Sequence, residues 1–161
     1  MLTKTTLTGI KALIFLGLRG RDAPVAPREI ASYLGTSPTY LSKITSILVK
    51  ADILSSHRGP YGGVTISRPT SSITLLEIIE SCQGRVTGDY CQGIEDLQSV
   101  CAFHQAMQEA HQAIIQVFSN WSLADLIERP SPGKNLGDGV SCLMAGIVAP
   151  VRERYGKTDR V

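Results

Sequence analysis

Three side chains in the second half of this chain have the donor chemistry of a soft metal site. Cys91 is followed, after nine intervening residues, by Cys101, and His104 stands three positions beyond it. A Cys-x-x-His pair at the start of a helix places both side chains within one turn, and a loop lets Cys91 reach them. Thiolates favour iron and zinc and imidazole suits either metal, so the set reads as a metal site or, without metal, as a thiol redox switch. A Cys101 nucleophile served by a His104 base is the enzymatic alternative. No third orienting group or oxyanion hole accompanies that pair, and no Walker loop or dinucleotide fingerprint occurs, so the chain is not expected to be an enzyme.

The remaining cysteines read differently. Cys142 lies in an apolar segment and Cys82 at the end of an amphipathic one, and both are expected as small buried residues. His111 shares the helix face of His104 seven residues on and reads as a surface or interface histidine.

The elements that must position this chemistry follow from charge and periodicity. Residues 1–68 hold nine Lys or Arg against three acids, a balance of +6, whereas residues 69–161 hold seven bases and eleven acids, or −4. A basic half facing a polyanion and an acidic half with another task is the implied division. Neither a secretory signal nor a membrane span is visible, because Lys4, Lys11 and Arg19 interrupt the first apolar stretch and Val140 to Pro150 is too short for a bilayer. A cytoplasmic location is therefore expected, where four cysteines serve metal or redox chemistry more often than disulfides.

Leu7, Ile10, Leu13 and Leu16 predict a first helix that ends by Gly20 to Pro24. A second runs from about Pro27 to Leu34 and stops at Gly35. Ser37 then caps a third, opened by Pro38, with Leu41, Ile44, Leu48 and Ala51 on one apolar stripe. Two helices joined by Gly35-Thr36-Ser37 form a helix-turn-helix, which leaves Thr39, Tyr40, Ser42, Lys43 and Ser46 on other faces for phosphates and base edges. The segment from His57 to Gly63, with Arg58, Gly59, Tyr61 and Gly62, sits between apolar pairs and predicts a basic β-hairpin wing. Farther on, Ile73, Leu76, Ile78 and Ile79 predict a short helix after a Thr70-Ser71-Ser72 cap region, closed by Gln83-Gly84. Phe103, Met107, Ala110, Ile114, Val117 and Trp121 predict a long one to about Asn120, and Ser122 caps a short closing helix.

The segments Ser37-Pro38-Thr39-Tyr40-Leu41-Ser42-Lys43, Arg58-Gly59-Pro60-Tyr61-Gly62-Gly63-Val64, Ser67-Arg68-Pro69 and Ile73-Thr74-Leu75-Leu76-Glu77 stand in the order and spacing of one family's signature. Over residues 1–128 the chain resembles the Rrf2 family of bacterial transcriptional regulators. The resemblance implies a mostly α fold with a small β-hairpin wing, a winged helix-turn-helix followed by a linker helix, a cysteine-bearing loop and a long dimerisation helix. It divides the chain into a DNA-binding domain over 1–68, a linker, sensor and dimerisation part over 69–129, and a C-terminal extension over 130–161 that is expected to be mobile or to fold on a partner. The implied partners are a second copy of the chain and double-stranded DNA with a palindromic site, with Ser37, Thr39, Tyr40, Ser42, Lys43, Arg58, Gly59, Tyr61 and Gly62 as the contacting residues.

In the cluster-binding branch of that family the loop carries three cysteines. Cys91 and Cys101 match the first and last, and His104 matches a histidine that follows the last; the middle cysteine has no counterpart. The resemblance thus implies an iron-sulfur cluster, 2Fe–2S in preference to 4Fe–4S, with a fourth ligand from Glu95 or Asp96, from a partner subunit or from Cys82. The expected function is a dimeric DNA-binding repressor that senses iron, redox or nitrosative state. A metal-free thiol-responsive or ligand-responsive regulator is the alternative, and a winged module that contacts protein instead of DNA is a third class.

Overall fold

A computed structural model of the chain describes residues 2–20, 23–86, 100–131, 142–145 and 147. The first three helices are α1 (Lys4–Arg19), α2 (Pro27–Leu34) and α3 (Pro38–Lys50). Their ends follow from local chemistry. The Thr3 hydroxyl accepts from the Thr6 N–H at the start of α1, and Pro27 opens α2 at a position where its missing N–H costs nothing. Gly35 adopts the left-handed conformation that ends α2, and the Ser37 hydroxyl accepts from the Tyr40 N–H to cap α3. Leu13, Ile14, Phe15, Ile30, Leu41, Ile44 and Leu48 are fully buried where the three helices meet. Among the described residues Phe15 is the one fully buried aromatic ring, and it packs on Tyr33 with ring centroids 4.4 Å apart.

The wing consists of β1 (Leu54–His57) and β2 (Gly63–Ile66), antiparallel, with Leu54 opposite Ile66 and His57 opposite Gly63. An isolated bridge between Val25 and Val64, with N–H to O distances of 3.0 and 2.9 Å, fastens the wing to the residues ahead of α2. Gly63 permits this approach, since a Cβ there would lie 2.4 Å from the Val25 carbonyl.

Beyond the wing come α4 (Leu75–Gln83), α5 (Ala102–Asn120) and α6 (Leu123–Glu128). Here the sequence reading needs one correction. Thr70–Ser72 form a single 3₁₀ turn, and the cap of α4 is Thr74, whose side chain accepts from the Glu77 N–H while the Glu77 carboxylate accepts from the Thr74 N–H. Glu77, three residues past Thr74, completes a capping box there. Ala51, expected on the apolar stripe of α3, is exposed at the helix end.

Ser122 and Asp125 form a second capping box at α6. The two boxes sit side by side, because Leu75 N–H donates to the Trp121 carbonyl at 2.7 Å and Leu123 N–H to the Ile73 carbonyl at 2.8 Å. α4 packs on α1, α3 and α5, and α6 packs on α1, where Ile127 covers Gly17 so closely that a Cβ would come within 2.1 Å of it. The apolar core is accordingly continuous across residue 68, with Ile73, Ile78 and Leu123 in the same cluster as Leu13 and Ile44. Ile147, from the C-terminal extension, joins it at 3% exposure; residues 148–161 lie outside the described residues. No helix among the described residues is long and apolar enough to cross a membrane.

Candidate nucleic-acid interface and cysteine site

With Leu41, Ile44 and Leu48 turned inward, α3 exposes Thr39, Ser42, Lys43 and Ser46 on its outer side, together with Lys50. Ser37 is exposed too, but its oxygen already accepts the Tyr40 N–H at 3.1 Å, which leaves its hydroxyl proton for an outside acceptor. Tyr40 is placed differently. It is half-buried against the core, and its hydroxyl shares a 3.2 Å hydrogen bond with that of Thr5 on α1. Thr45 is buried and donates to the Ser42 carbonyl at 3.0 Å.

At the tip of the wing Arg58, Gly59, Pro60 and Tyr61 are exposed, and Tyr61 reaches 93%. The turn needs its glycines. Gly59 has φ of 107°, Gly62 N–H donates to the Gly59 carbonyl at 3.0 Å, and a Cβ on Gly62 would lie 2.4 Å from the His57 carbonyl oxygen. A groove of about 520 Å³ separates α3 from the wing. Ser42, Ser46, Lys50, Ser56 and His57 line it with the backbone of Gly59, Gly62 and Gly63, and among the described residues no carboxylate does. The lining presents the Ser42 and Ser56 hydroxyls and the Lys50 ammonium beside apolar Pro27, Val49 and Val64, while the Ser46 hydroxyl donates to the Ser42 carbonyl; the positive charge suits a polyanion. Sequence reasoning counted Lys50 only toward net charge and did not select Ser56 or His57, since the meeting of helix end and strand is a tertiary fact. His57 Nε2 and the Thr65 hydroxyl share a 2.9 Å hydrogen bond that steadies the ring at the groove edge.

Of the sulfur and imidazole donors, Cys101 and His104 flank the first turn of α5. Cys101 is an exposed free thiol at the N-cap position and makes no capping bond. His104 Nδ1 is shielded from solvent and has no hydrogen-bond partner among the described residues, and the same holds for His111 Nε2 further along the helix. A nitrogen in that condition is suited to a metal or a donor supplied from outside the chain. Cys91, Glu95 and Asp96 lie outside the described residues, and among the described residues no three metal-binding side chains gather. Cys82 has a packing role: its sulfur faces Gly9, where a Cβ would stand 3.1 Å away, and burial pushes its thiol up, against a smaller opposing effect of the Ser81 hydrogen bond. Cys142 Sγ accepts the Met144 N–H at 3.4 Å.

The long helix α5 has no buried residue in the single chain. Phe103, Val117 and Trp121 stand 68%, 52% and 45% exposed along it.

Comparison with known proteins agrees with this arrangement. The family model for Rrf2, described as an iron-dependent transcriptional regulator, matches residues 2–129. A protein of Azotobacter vinelandii named as an HTH-type transcriptional regulator, ORF2, is 31% identical over 122 residues, 74% of each chain. Among solved structures, CymR (YrzC), the global cysteine regulator of B. subtilis, superposes with a TM-score of 0.67 at 24% identity, covering 80% of this chain and 96% of that one. IscR of T. potens does so with a TM-score of 0.64 at 22% identity, covering 83% and 93%. The helix-turn-helix, its glycine-shaped wing and the match across four-fifths of the length therefore place this chain in the Rrf2 family of winged-helix transcriptional regulators.

Proposed function

We propose that this chain is a dimeric, DNA-binding repressor that reports iron, redox or nitrosative state through Cys91, Cys101 and His104. The observation that carries the DNA half of this reading is the acid-free groove between α3 and the wing, with Tyr61 fully presented at the wing tip beside Arg58. The outer side of α3 enters the major groove, where Thr39 and Ser42 meet base edges and Lys43 a phosphate. The sugar-phosphate strand lies in the groove against Ser46, Lys50 and His57. Arg58, Gly59, Tyr61 and Gly62 contact the next groove of the duplex. Ser37 donates its free hydroxyl proton to a phosphate, and Tyr40, occupied by Thr5, stays behind the contacting surface.

An amphipathic helix of 19 residues with no buried side chain is not stabilised by its own chain alone. Its exposed Phe103, Val117 and Trp121 pack on the same helix of a second copy, and the two recognition helices then address two halves of a palindromic site.

In this reading Cys91, Cys101 and His104 hold an iron-sulfur cluster, 2Fe–2S in preference to 4Fe–4S; support comes from the exposed free thiol of Cys101 and the His104 ring nitrogen with no partner among the described residues. Such a group supplies a centre sensitive to oxidation and to nitric oxide. The chain's part is mechanical: the donors fix the start of α5, α5 packs on α4, and α4 packs on α1 and α3. A change at the donors therefore biases the pose of the reading unit. A metal-free thiol switch is the second reading, favoured by the exposure of Cys101 itself.

The test is anaerobic purification with visible absorption, iron and sulfide analysis of the wild type and of the Cys91→Ala, Cys101→Ala and His104→Ala variants. A visible band lost in the variants supports the cluster. A colourless protein that takes up no iron on reconstitution overturns it, and a gel shift competed by specific but not random duplex tests the repressor separately.

A further inference from the structure

We propose that Gln83 is a positioning residue for the recognition helix, acting on it through the first turn of α1. This rests on the reading of α3 as the DNA-contacting helix. Gln83 is the last residue of α4, and its Oε1 accepts the Thr3 N–H at 3.0 Å and the Thr6 hydroxyl at 2.8 Å. Thr6 is fully buried, so its proton has a fixed destination. With that proton on Gln83, the 2.9 Å contact between the Thr3 and Thr6 hydroxyls is a donation from Thr3, whose oxygen in turn accepts the Thr6 N–H at 3.1 Å. The hydroxyl protons of Thr3 and Thr6 are thereby assigned, and the first turn of α1 is fastened to the end of α4.

Thr5 lies on that same turn. Its hydroxyl holds the hydroxyl of Tyr40 at 3.2 Å, and Tyr40 is the third helical residue of α3, flanked by Thr39, Ser42 and Lys43. Two bonded contacts on one helical turn therefore link the last residue before the cysteine-bearing segment to the first turn of the helix that reads DNA. Cys82 reinforces the junction by packing its sulfur on Gly9, one turn further along α1. Gly84, with φ of 84°, ends α4 immediately after Gln83, so whatever moves α4 reaches α1 at this point.

The test uses the full chain and two readouts, hydrogen exchange of the free protein and affinity for a duplex selected from a random library by the wild type. Gln83→Leu removes the acceptor, Gln83→Glu keeps it, and Thr5→Val removes only the hydroxyl that holds Tyr40. Gln83→Leu and Thr5→Val are each expected to raise exchange at the amides of residues 38–44 and to weaken duplex binding by about five- to twentyfold. Gln83→Glu should stay within about twofold of wild type, and the double variant should be no worse than the poorer single one. Fully multiplying losses, unchanged exchange at residues 38–44, or a Gln83→Glu variant as poor as Gln83→Leu would overturn the proposal. Should Gln83→Leu fail to fold, Gln83→Asn, which withdraws the amide by one methylene, takes its place with the same expectations. If the wild type enriches no duplex, the DNA reading fails, whereas the exchange measurements still decide the coupling.

Discussion

The guanidinium of Arg68 donates to the carboxylate of Glu77 at 2.6 Å, and that carboxylate also accepts the Thr74 N–H at 2.8 Å. One acidic side chain thus closes the cap of α4 and ties it to the strand leaving the wing. Arg68 adds a bond to the Ser72 carbonyl, and with Ser67 it reaches the Asp52 carbonyl at the other end of the hairpin.

Acid should loosen this junction. Burial alone would raise the Glu77 carboxyl, but the Thr74 N–H, the Arg68 hydrogen bond and charge, and the Thr74 hydroxyl together hold it below its usual range. Because the folded value is the lower one, the stabilisation is complete above the unfolded value of about 4.3 and is lost as the pH falls through the folded one. Asp125, lowered by the Ser122 hydroxyl and N–H, acts in the same window. Melting curves of wild type and Glu77→Gln should therefore differ at pH 7 and approach one another as the pH falls below the unfolded carboxylate range. With Glu77 44% exposed, the ion pair contributes only a fraction of about 1 kcal/mol, and parallel curves would show that the carboxylate contributes nothing.

Arg58→Ala and Tyr61→Ala separate charge from contact at the wing. Arg58→Ala should weaken duplex binding and reduce the slope of log affinity against log salt by about one. Tyr61→Ala should weaken binding with the slope unchanged. Anisotropy titrations over a range of salt concentrations distinguish them, and an Arg58→Ala variant with wild-type affinity and slope would remove the wing from the interface.

Val117→Glu places a charge on the exposed face of α5 and should convert the dimer to monomer in sedimentation velocity, with a far-UV spectrum that keeps the signal of α1 to α4. Duplex affinity should fall with it, since two linked half-sites become one. A variant that remains dimeric would assign the α5 face to another role.

Two glycines should answer differently to alanine. At Gly63 the new Cβ meets the Val25 backbone at 2.4 Å, so the bridge that fastens the wing must open, at a cost of about 1–3 kcal/mol. At Gly35 nothing lies within 4 Å and only the left-handed φ of 62° resists, at a cost of about 1–2 kcal/mol. Thermal melts check the stability loss in both, and weakened duplex binding by Gly63→Ala at temperatures where it stays folded would report the displaced wing.

Much of the fold is legible in the sequence because its punctuation is local. Pro27 and Gly35 bound α2, Ser37 and Pro38 open α3, and at these three points the limits agree, whereas α3 ends at Lys50, one residue short of the expected stripe. The cap of α4 was harder to read, since Thr70, Ser71 and Ser72 offer hydroxyls too and only Glu77 distinguishes Thr74. For Tyr40 helical periodicity gives the face on which it stands but not its hydrogen bond to the Thr5 hydroxyl 35 positions away. The tie from Gln83 to Thr3 and Thr6 spans about eighty residues and leaves no periodic trace. For the cysteine site, Cys101 and His104 fall on one helical turn as their spacing requires, and Cys91 lies outside the described residues.

The bridge between Thr74 and Ser122 sets the start of α4 beside the end of α5, so the chain from Leu75 to Trp121 begins and ends at one point of the domain. The spacing between α3 and α6 is therefore held by this bridge and by the packing of α6 on α1. The paired ends thus form a fixed frame across α4 and α5, and Gln83 fastens the end of α4 to α1 within it.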